Sequence, residues 1–223
     1  MERLSRYGTR GGPTENEAGD ALHNLGSVAQ SLKPDLRKGV ELIITKVLEE
    51  QNVSQQRLEG AVKGAAVLGT ENAGIALRHA VHRRVPASAA EAALKGMAAI
   101  LEHGKSGSSP VPISGKGKEV MGDALVEALS HPSSSVRALA AEYVGRHGDG
   151  KRAEFLGGLA IGDAEPNVRH SAADAVAEMI KAGKVRDEKA LRFFLLLGKG
   201  PVAQRRQQEV LARIEKRLGR KLA

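Results

Sequence analysis

The sequence predicts an all-α fold of the α-solenoid class, in which pairs of helices stack into a repeat array. Apolar residues recur at helical spacing through most of the 223 residues, and no segment has a convincing strand pattern. A helix-opening motif, Val136-Arg137-Ala138-Leu139-Ala140-Ala141, recurs in outline at Val168-Arg169-His170-Ser171-Ala172-Ala173. Prolines at positions 86, 132, 166 and 201 each precede an odd-numbered predicted helix. Together these features give the period of roughly 30 to 40 residues, with two helices per period, that is typical of helical solenoids.

Five helices are predicted before residue 104. Capping boxes at Thr14–Glu17 and Ser88–Glu91 begin the first and the fifth, and Ser54 caps the third. Turn signals separate the five helices at Pro34, Gln51-Asn52, Gly69-Thr70 and Val85-Pro86.

Six more helices are predicted after a long Gly/Ser/Pro/Lys loop at residues 104–117. Their apolar stripes fall at 120–129, 136–144, 155–161, 168–180, 190–197 and 210–218. The predicted helix pairs are 35–68, 71–103, 117–147, 151–182 and 187–219, with the first helix as an N-terminal cap. Residues 1–13 are predicted to be a disordered basic arm, and residues 14–223 a single repeat domain.

Composition limits the function classes. Aromatic residues make up only 2% of the chain and there is no Trp, so the interior must be built from Ala, Leu, Val and Ile. Cysteine is absent, which excludes thiolate catalysis and Cys-based zinc sites and fits a reducing compartment. Because no apolar run approaches the roughly 20 residues of a membrane span, a cytoplasmic location is expected.

Positive charge is concentrated near the C-terminus. The net charge is +8, but residues 181–223 carry 13 Lys and Arg against 4 Asp and Glu. The rest of the chain is therefore close to neutral. A local basic surface attracts nucleic acid, anionic membranes or acidic proteins, and basic residues also serve solubility and helix C-termini.

The Val-Arg motif resembles that of HEAT repeats, and more closely the short HEAT-like repeats of prokaryotic proteins. The ninth helix, from Asp163 through Ala173, is the best match, and the seventh has Ser135 in place of an acid before Val136. The third, fifth and last helices match by period and small residues, since Arg57 and Arg205 stand near the motif arginine without its Val. The resemblance covers most of residues 35–219.

The resemblance implies a right-handed solenoid of about five helix pairs, with the odd-numbered helices lining the concave face. It also implies a structural role for the motif arginines, which in the family pair with an acidic turn residue of a neighbouring repeat. Arg137 and Arg169 inherit that role, with Asp163 as a candidate partner.

Catalysis is disfavoured, and neither a cofactor nor a metal is predicted. HEAT-like deoxyhypusine hydroxylases need His-Glu dipeptides, alkylpurine glycosylases use a Trp-rich cleft, and phycobilin lyases offer no motif that can be carried over to this chain. The pair His79 and His82 has zinc-ligand spacing but lies among arginines. Gly104-Lys105 and Gly115-Lys116 lack the first glycine of a phosphate-binding loop.

Two binding hypotheses remain, with a lyase-type repeat enzyme as a weak third. The first is a non-enzymatic scaffold that binds a protein partner on the concave face. Its predicted residues are Glu142, His170, Asp174, Glu178, Arg206 and Arg213. The second is nucleic-acid binding through a basic edge formed by the turns between helix pairs and through the basic C-terminal helix. The predicted edge residues are Lys105, Lys116, Lys118, Arg146, His147, Lys151, Arg152, Lys181, Lys184 and Arg186. Base stacking is not expected, because Tyr143, Phe155, Phe193 and Phe194 are predicted to be core residues. The sequence does not predict an oligomeric state.

Overall fold

The computed structural model describes residues 14–29, 31–50, 52–82, 85–106, 112–196 and 201–222, so the predicted N-terminal arm lies outside the described residues. The described parts of the chain are helical and contain no β-strand. The α-helices are α1 (Glu15–Ala29), α2 (Pro34–Glu49), α3 (Gln55–Leu68), α4 (Glu71–His82), α5 (Ala87–Ser106), α6 (Gly115–Glu127), α7 (Ser134–His147), α8 (Ala153–Gly162), α9 (Pro166–Lys181), α10 (Glu188–Leu195) and α11 (Pro201–Leu218).

Helices of the same parity pack against one another, which is the pattern of an α-solenoid. The chain forms two compact units, Met1–Met121 and Gly122–Ala223. In the first unit, α3 packs against both α1 and α5, and α2 packs against α4. In the second unit, α9 packs against both α7 and α11, and α8 packs against α10. The predicted all-α solenoid class is therefore confirmed.

Three residues of each motif copy lie in the core of the second unit. Val136, Ala140 and Ala141 of α7 are fully buried, and so are Val168, Ala172 and Ala173 of α9. Gly145 lies so close to α9 that a Cβ added to it would come within 2.7 Å of the Ala175 Cβ. The motif therefore contributes to the core, and the small residues that follow it let α7 and α9 approach closely.

Backbone touches backbone between α1 and α3. A Cβ built on Gly60 would lie 2.1 Å from the carbonyl oxygen of Gly19, and one on Gly26 would lie 2.4 Å from that of Gly64. Glycine at these four positions lets the two helices approach as closely as backbone atoms permit. The sequence shows these glycines but not that they face each other.

Side-chain caps fix where several helices begin. At α1, the Thr14 amide donates to Glu17 Oε2 at 2.7 Å and the Glu17 amide donates to Thr14 Oγ1 at 3.4 Å, which forms the predicted capping box. Ser54 accepts from the Arg57 amide at 3.4 Å at the start of α3. The box predicted at Ser88 is wrong, because α5 already begins at Ala87 and the Ser88 hydroxyl donates to Glu59 at 3.1 Å.

The loop predicted at residues 104–117 is shorter in the structure. Helix α5 continues through Ser106 and α6 begins at Gly115, while residues 107–111 lie outside the described residues. Glu71 of α4 accepts from the Ser114 amide and hydroxyl, both at 2.6 Å, and this lowers the pKa of Glu71. Ser114 in turn accepts from the Gly117 amide at 3.0 Å. The end of the loop is therefore tied to α4.

The close contact between α1 and α3 predicts that one methyl group added at this contact lowers the stability of the first unit. We expect Gly60→Ala to destabilise the first unit by about 1–3 kcal/mol, because the added carbon meets a backbone carbonyl that cannot move aside. The matched control is Gly39→Ala in the middle of α2, where a Cβ meets nothing within 4 Å. That control should gain about 0.5–1 kcal/mol of helix stability. Urea denaturation followed by circular dichroism measures both, and equal effects of the two substitutions would contradict the proposed contact.

Candidate functional site

Each motif arginine closes the turn that precedes its own helix. Arg137 Nη1 donates to the carbonyl oxygens of His131 and Pro132, both at 2.9 Å. Arg169 Nη1 donates in the same way to Asp163 at 3.0 Å and Ala164 at 2.9 Å. The two arginines reach back over the same number of residues, so the repeat seen in the sequence is also a repeat of hydrogen bonds.

Arg137 also connects its repeat to the next one. Its Nε donates to Asp163 Oδ2 at 2.7 Å and its Nη2 donates to Asp163 Oδ1 at 2.9 Å, in a two-pronged ion pair. The Asp163 side chain is only 5% exposed. The hydrogen bonds from Arg137 lower the pKa of Asp163, and Arg169 adds a second positive charge nearby. Arg169 itself reaches the main-chain carbonyl of Asp163 and not its carboxylate.

Asp174 was predicted to bind a partner, but in the structure it makes ion pairs with two arginines of α11. Its Oδ1 accepts from Arg213 Nε at 2.7 Å, and its Oδ2 accepts from Arg213 Nη2 and Arg217 Nη2, both at 2.8 Å. Only 20% of the Asp174 side chain is exposed. Burial by itself raises the pKa of Asp174, but the hydrogen bonds from the two arginines outweigh it and lower the pKa to about 2. Asp174 and Arg213 thus join helices within the second unit and are not freely available to a partner.

The other predicted face residues remain at the surface. Glu142, His170 and Glu178 are exposed on α7 and α9. Glu142 pairs with Arg146 one turn away, and Glu178 pairs with Lys181 at 3.2 Å. Arg206 is half-buried, and its Nη1 donates to the carbonyl oxygen of Ile161 at the end of α8, at 3.3 Å. We call Glu142, His170 and Glu178 the charged face.

Several residues of the predicted basic edge serve the fold of the second unit. Lys184 Nζ donates to the carbonyl oxygens of Gly145 at 3.1 Å and Arg146 at 2.7 Å, which caps the C-terminus of α7. Arg152 Nη2 donates to Asp123 at 2.7 Å. These cations satisfy groups of their own chain and are not available as a group to bind phosphates.

The remaining residues of the predicted basic edge lie partly in the second unit and partly in the first. His147 is half-buried, with its ring centroid 6.4 Å from that of Tyr143. Lys151 and Arg186 are exposed and lie on the same cleft as Lys184. In the first unit, Lys116 and Lys118 are exposed on the first turn of α6, and the Lys105 side chain lies outside the described residues.

The structure corrects the prediction for Phe155 and adds Arg217 to the residues that matter. Phe155, predicted to be core, is 61% exposed on α8. Tyr143 is half-buried, and the side chains of Phe193 and Phe194 lie outside the described residues. Arg217, which joins Asp174, was missed, although its position four residues after Arg213 places both on one face of α11.

The described residues contain no group of three or more His, Cys, Asp or Glu side chains that could hold a metal ion. Within those same residues, no helix combines the length and the apolar character needed to cross a membrane.

The Asp174 ion pairs predict a stability loss at acid pH. Because its pKa is lowered from 3.8 to about 2, the contribution of Asp174 is fully present above pH 4 and is lost as the pH falls toward 2. We expect Asp174→Asn to destabilise the second unit by about 1–2 kcal/mol at pH 7, because hydrogen bonds to a charged carboxylate are lost.

The measurement is the difference in denaturation midpoint between the wild type and Asp174→Asn at a series of pH values. The difference should shrink through the window from pH 4 to pH 2. A difference that stays constant through that window would show that the charge of Asp174 does not matter to the fold.

Comparison with known proteins agrees with this architecture. A family model described as HEAT repeats matches residues 122–212, which lie within the second unit. The search of curated proteins found no match.

A solved structure has the same fold over nearly the whole chain. That structure is described as "Crescerin uses a TOG domain array to regulate microtubules in the primary cilium". The TM-score is 0.54 at 15% identity, and the match covers 94% of this chain and 90% of that one. The predicted resemblance is thus confirmed: residues 122–212 match the family model of HEAT repeats, and the chain has an α-solenoid fold.

Proposed function

We propose that this protein is a non-enzymatic interaction module, and that its second unit binds a protein partner through the charged face. The observation that carries the proposal is that Glu142, His170 and Glu178 are exposed on two helices that pack directly against each other. A solenoid presents such residues at fixed spacing, because each helix is positioned by its neighbours.

Rigidity of the face supports a binding role. Helix α7 is tied to the turn before α9 by Arg137 and Asp163, and α9 is tied to α11 by Asp174 and Arg213. Side chains that are already ordered lose less entropy on binding, which favours affinity. The ion pairs that Glu142 and Glu178 make within their own helices are exposed and contribute little to stability. These two carboxylates can therefore exchange partners at small cost.

The kind of partner follows from the fold and the chemistry of the face. HEAT-repeat solenoids commonly serve as protein-interaction scaffolds, and the array in the structural neighbour regulates microtubules, which are protein assemblies. The charged face carries two exposed carboxylates, Glu142 and Glu178, so the proposal is for a partner that offers basic side chains. Repulsion between these carboxylates and phosphates argues against nucleic acid on this face.

The test is a comparative capture experiment with the purified chain as bait. The face variant is Glu142→Lys with Glu178→Lys. The matched control is Asp20→Lys with Glu119→Lys, which makes the same charge change at two exposed acids of the first unit. We expect a protein that is retained by the wild type and the control but lost from the face variant. The purified partner should then bind the face variant at least about tenfold more weakly, since reversing a charge pair costs more than about 1.4 kcal/mol.

Asp174→Lys is not a suitable probe of this face. It would place an ammonium group beside Arg213 and Arg217 and separate α9 from α11, so a loss of binding would report misfolding. If the face variant is folded and retains the same proteins as the wild type, the charged face is not the binding surface.

A further inference from the structure

Helix α8 of the second unit presents an apolar face to solvent. The helix packs against α9, α10 and α11, and its buried residues are Ala153, Leu156, Gly157 and Ala160. At about 100° per residue, the opposite side of the helix carries Phe155, Gly158, Leu159 and Gly162. We call these four residues the α8 stripe.

The α8 stripe is open to solvent and has no polar side chain. Phe155 is 61% exposed, Gly158 and Gly162 are exposed, and Leu159 is half-buried. The solvent face of a surface helix normally carries charged or polar residues. The one charged residue of α8, Glu154, lies about 90° from the centre of the stripe. An exposed apolar face of this kind is typical of a contact with another molecule.

The α8 stripe is complementary in shape to a second copy of itself. In an antiparallel pair of α8 helices with a two-fold axis between positions 158 and 159, each bulky residue faces a glycine. Phe155 lies opposite Gly162 of the second copy, and Leu159 lies opposite its Gly158. A Cβ added at either glycine would meet nothing within 4 Å of its own chain, so each glycine leaves an open hollow for the facing side chain. A parallel pair would instead set Phe155 against Phe155.

Charges at the ends of such a pair nearly balance. The start of α8 in one copy lies near the end of α8 in the other. Lys151 and Glu154 are exposed at the start, and Glu165 is exposed just past the end. The Asp163 side chain is only 5% exposed and is held by Arg137. Because Lys151 attracts Glu165 of the second copy while Glu154 repels it, the apolar contact decides whether the pair forms.

We propose that the chain forms a dimer with a second copy of itself through the α8 stripe, in which Phe155 of each copy packs over Gly162 of the other. The ten residues of α8 are about 15 Å long. A contact of that length lies below the roughly 1,200 Å² of a stable interface, so the dimer is weak and reversible. The stripe shares no residue with the charged face, so different variants test the two surfaces.

The test is analytical ultracentrifugation of the full chain between about 1 μM and 1 mM. We expect the average mass to rise with concentration from that of the monomer toward twice that value. Because the contact is apolar, the dissociation constant should change less than about threefold between about 0.05 and 0.5 M salt.

The aromatic ring is tested by truncation. Phe155→Ala should weaken the dimer at least about tenfold, which corresponds to about 1.4 kcal/mol, because each dimer loses two packed rings. The matched control is Leu42→Ala, which removes an apolar side chain that is 69% exposed on α2 of the first unit. The control should leave the dissociation constant within about twofold.

The glycines give a readout that misfolding cannot imitate. Gly158→Ala with Gly162→Ala should weaken the dimer at least about fivefold, because the methyl groups fill the hollows. The same variant should raise the denaturation midpoint of the monomer, since alanine favours helix where space is open. The control, Gly39→Ala with Gly115→Ala, adds methyl groups at two open positions of the first unit and should leave the dimer unchanged.

The antiparallel pairing is tested by exchanging the two facing residues. Gly162→Phe alone should weaken the dimer, because two rings then compete for one space. Phe155→Gly with Gly162→Phe restores a ring opposite a glycine and should recover the affinity to within about threefold. Circular dichroism checks that each variant is folded.

Four results would overturn the proposal. They are a monomer at every concentration, no effect of Phe155→Ala, equal weakening by either control, and no recovery in the exchanged variant. A monomer that binds phosphatidylcholine vesicles, and loses them on Phe155→Ala, would assign the stripe to a lipid surface instead. None of these results bears on the charged face, which is tested by its own variants.

Discussion

Successive odd-numbered helices approach each other closely because the residues at their contact are small, and the rest of the structure depends on that approach. In the first unit the contact is backbone against backbone, at Gly19 with Gly60 and Gly26 with Gly64. In the second unit Gly145 of α7 lies against Ala175 of α9. Because the helices are in such close contact, a methyl group added there would meet the opposite helix directly.

Ion pairs supply what small side chains cannot, which is a fixed register between repeats. Alanine packs on alanine at many relative positions, whereas a two-pronged pair such as Arg137 with Asp163 has a single good geometry. Asp174 performs the same task between α9 and α11 by accepting from both Arg213 and Arg217. The buried or half-buried carboxylate is in each case the shared point, and its lowered pKa reflects the arginines around it.

The basic character of the chain has a structural use that reduces what is left for binding. Lys184 and Arg152 are committed to α7 carbonyls and to Asp123. Arg220 is likewise committed to Glu188, at 2.6 and 2.9 Å. A net charge of +8 therefore does not imply a continuous basic surface. The exposed cations that lie outside such pairs in the described part of the second unit, among them Lys151, Arg186, Lys216 and Lys221, are distributed over several elements.

The sequence by itself determined the fold class, the positions of most helices and the packing role of the motif, because helical periodicity, prolines and small residues act locally and recur with the repeat. Through the resemblance, it also named Asp163 as a candidate partner of Arg137 and Arg169, and the structure shows the ion pair with Arg137. Only the tertiary structure decided which charged residues face one another across helices. Asp174 meets Arg213 from 39 residues away, Lys184 meets the end of α7 from 38 and 39 residues away, and the glycines of α1 meet those of α3. No periodicity within a helix encodes such pairings, since they depend on how far each helix is rotated and shifted against its neighbour, and that is settled by the packing of the whole unit.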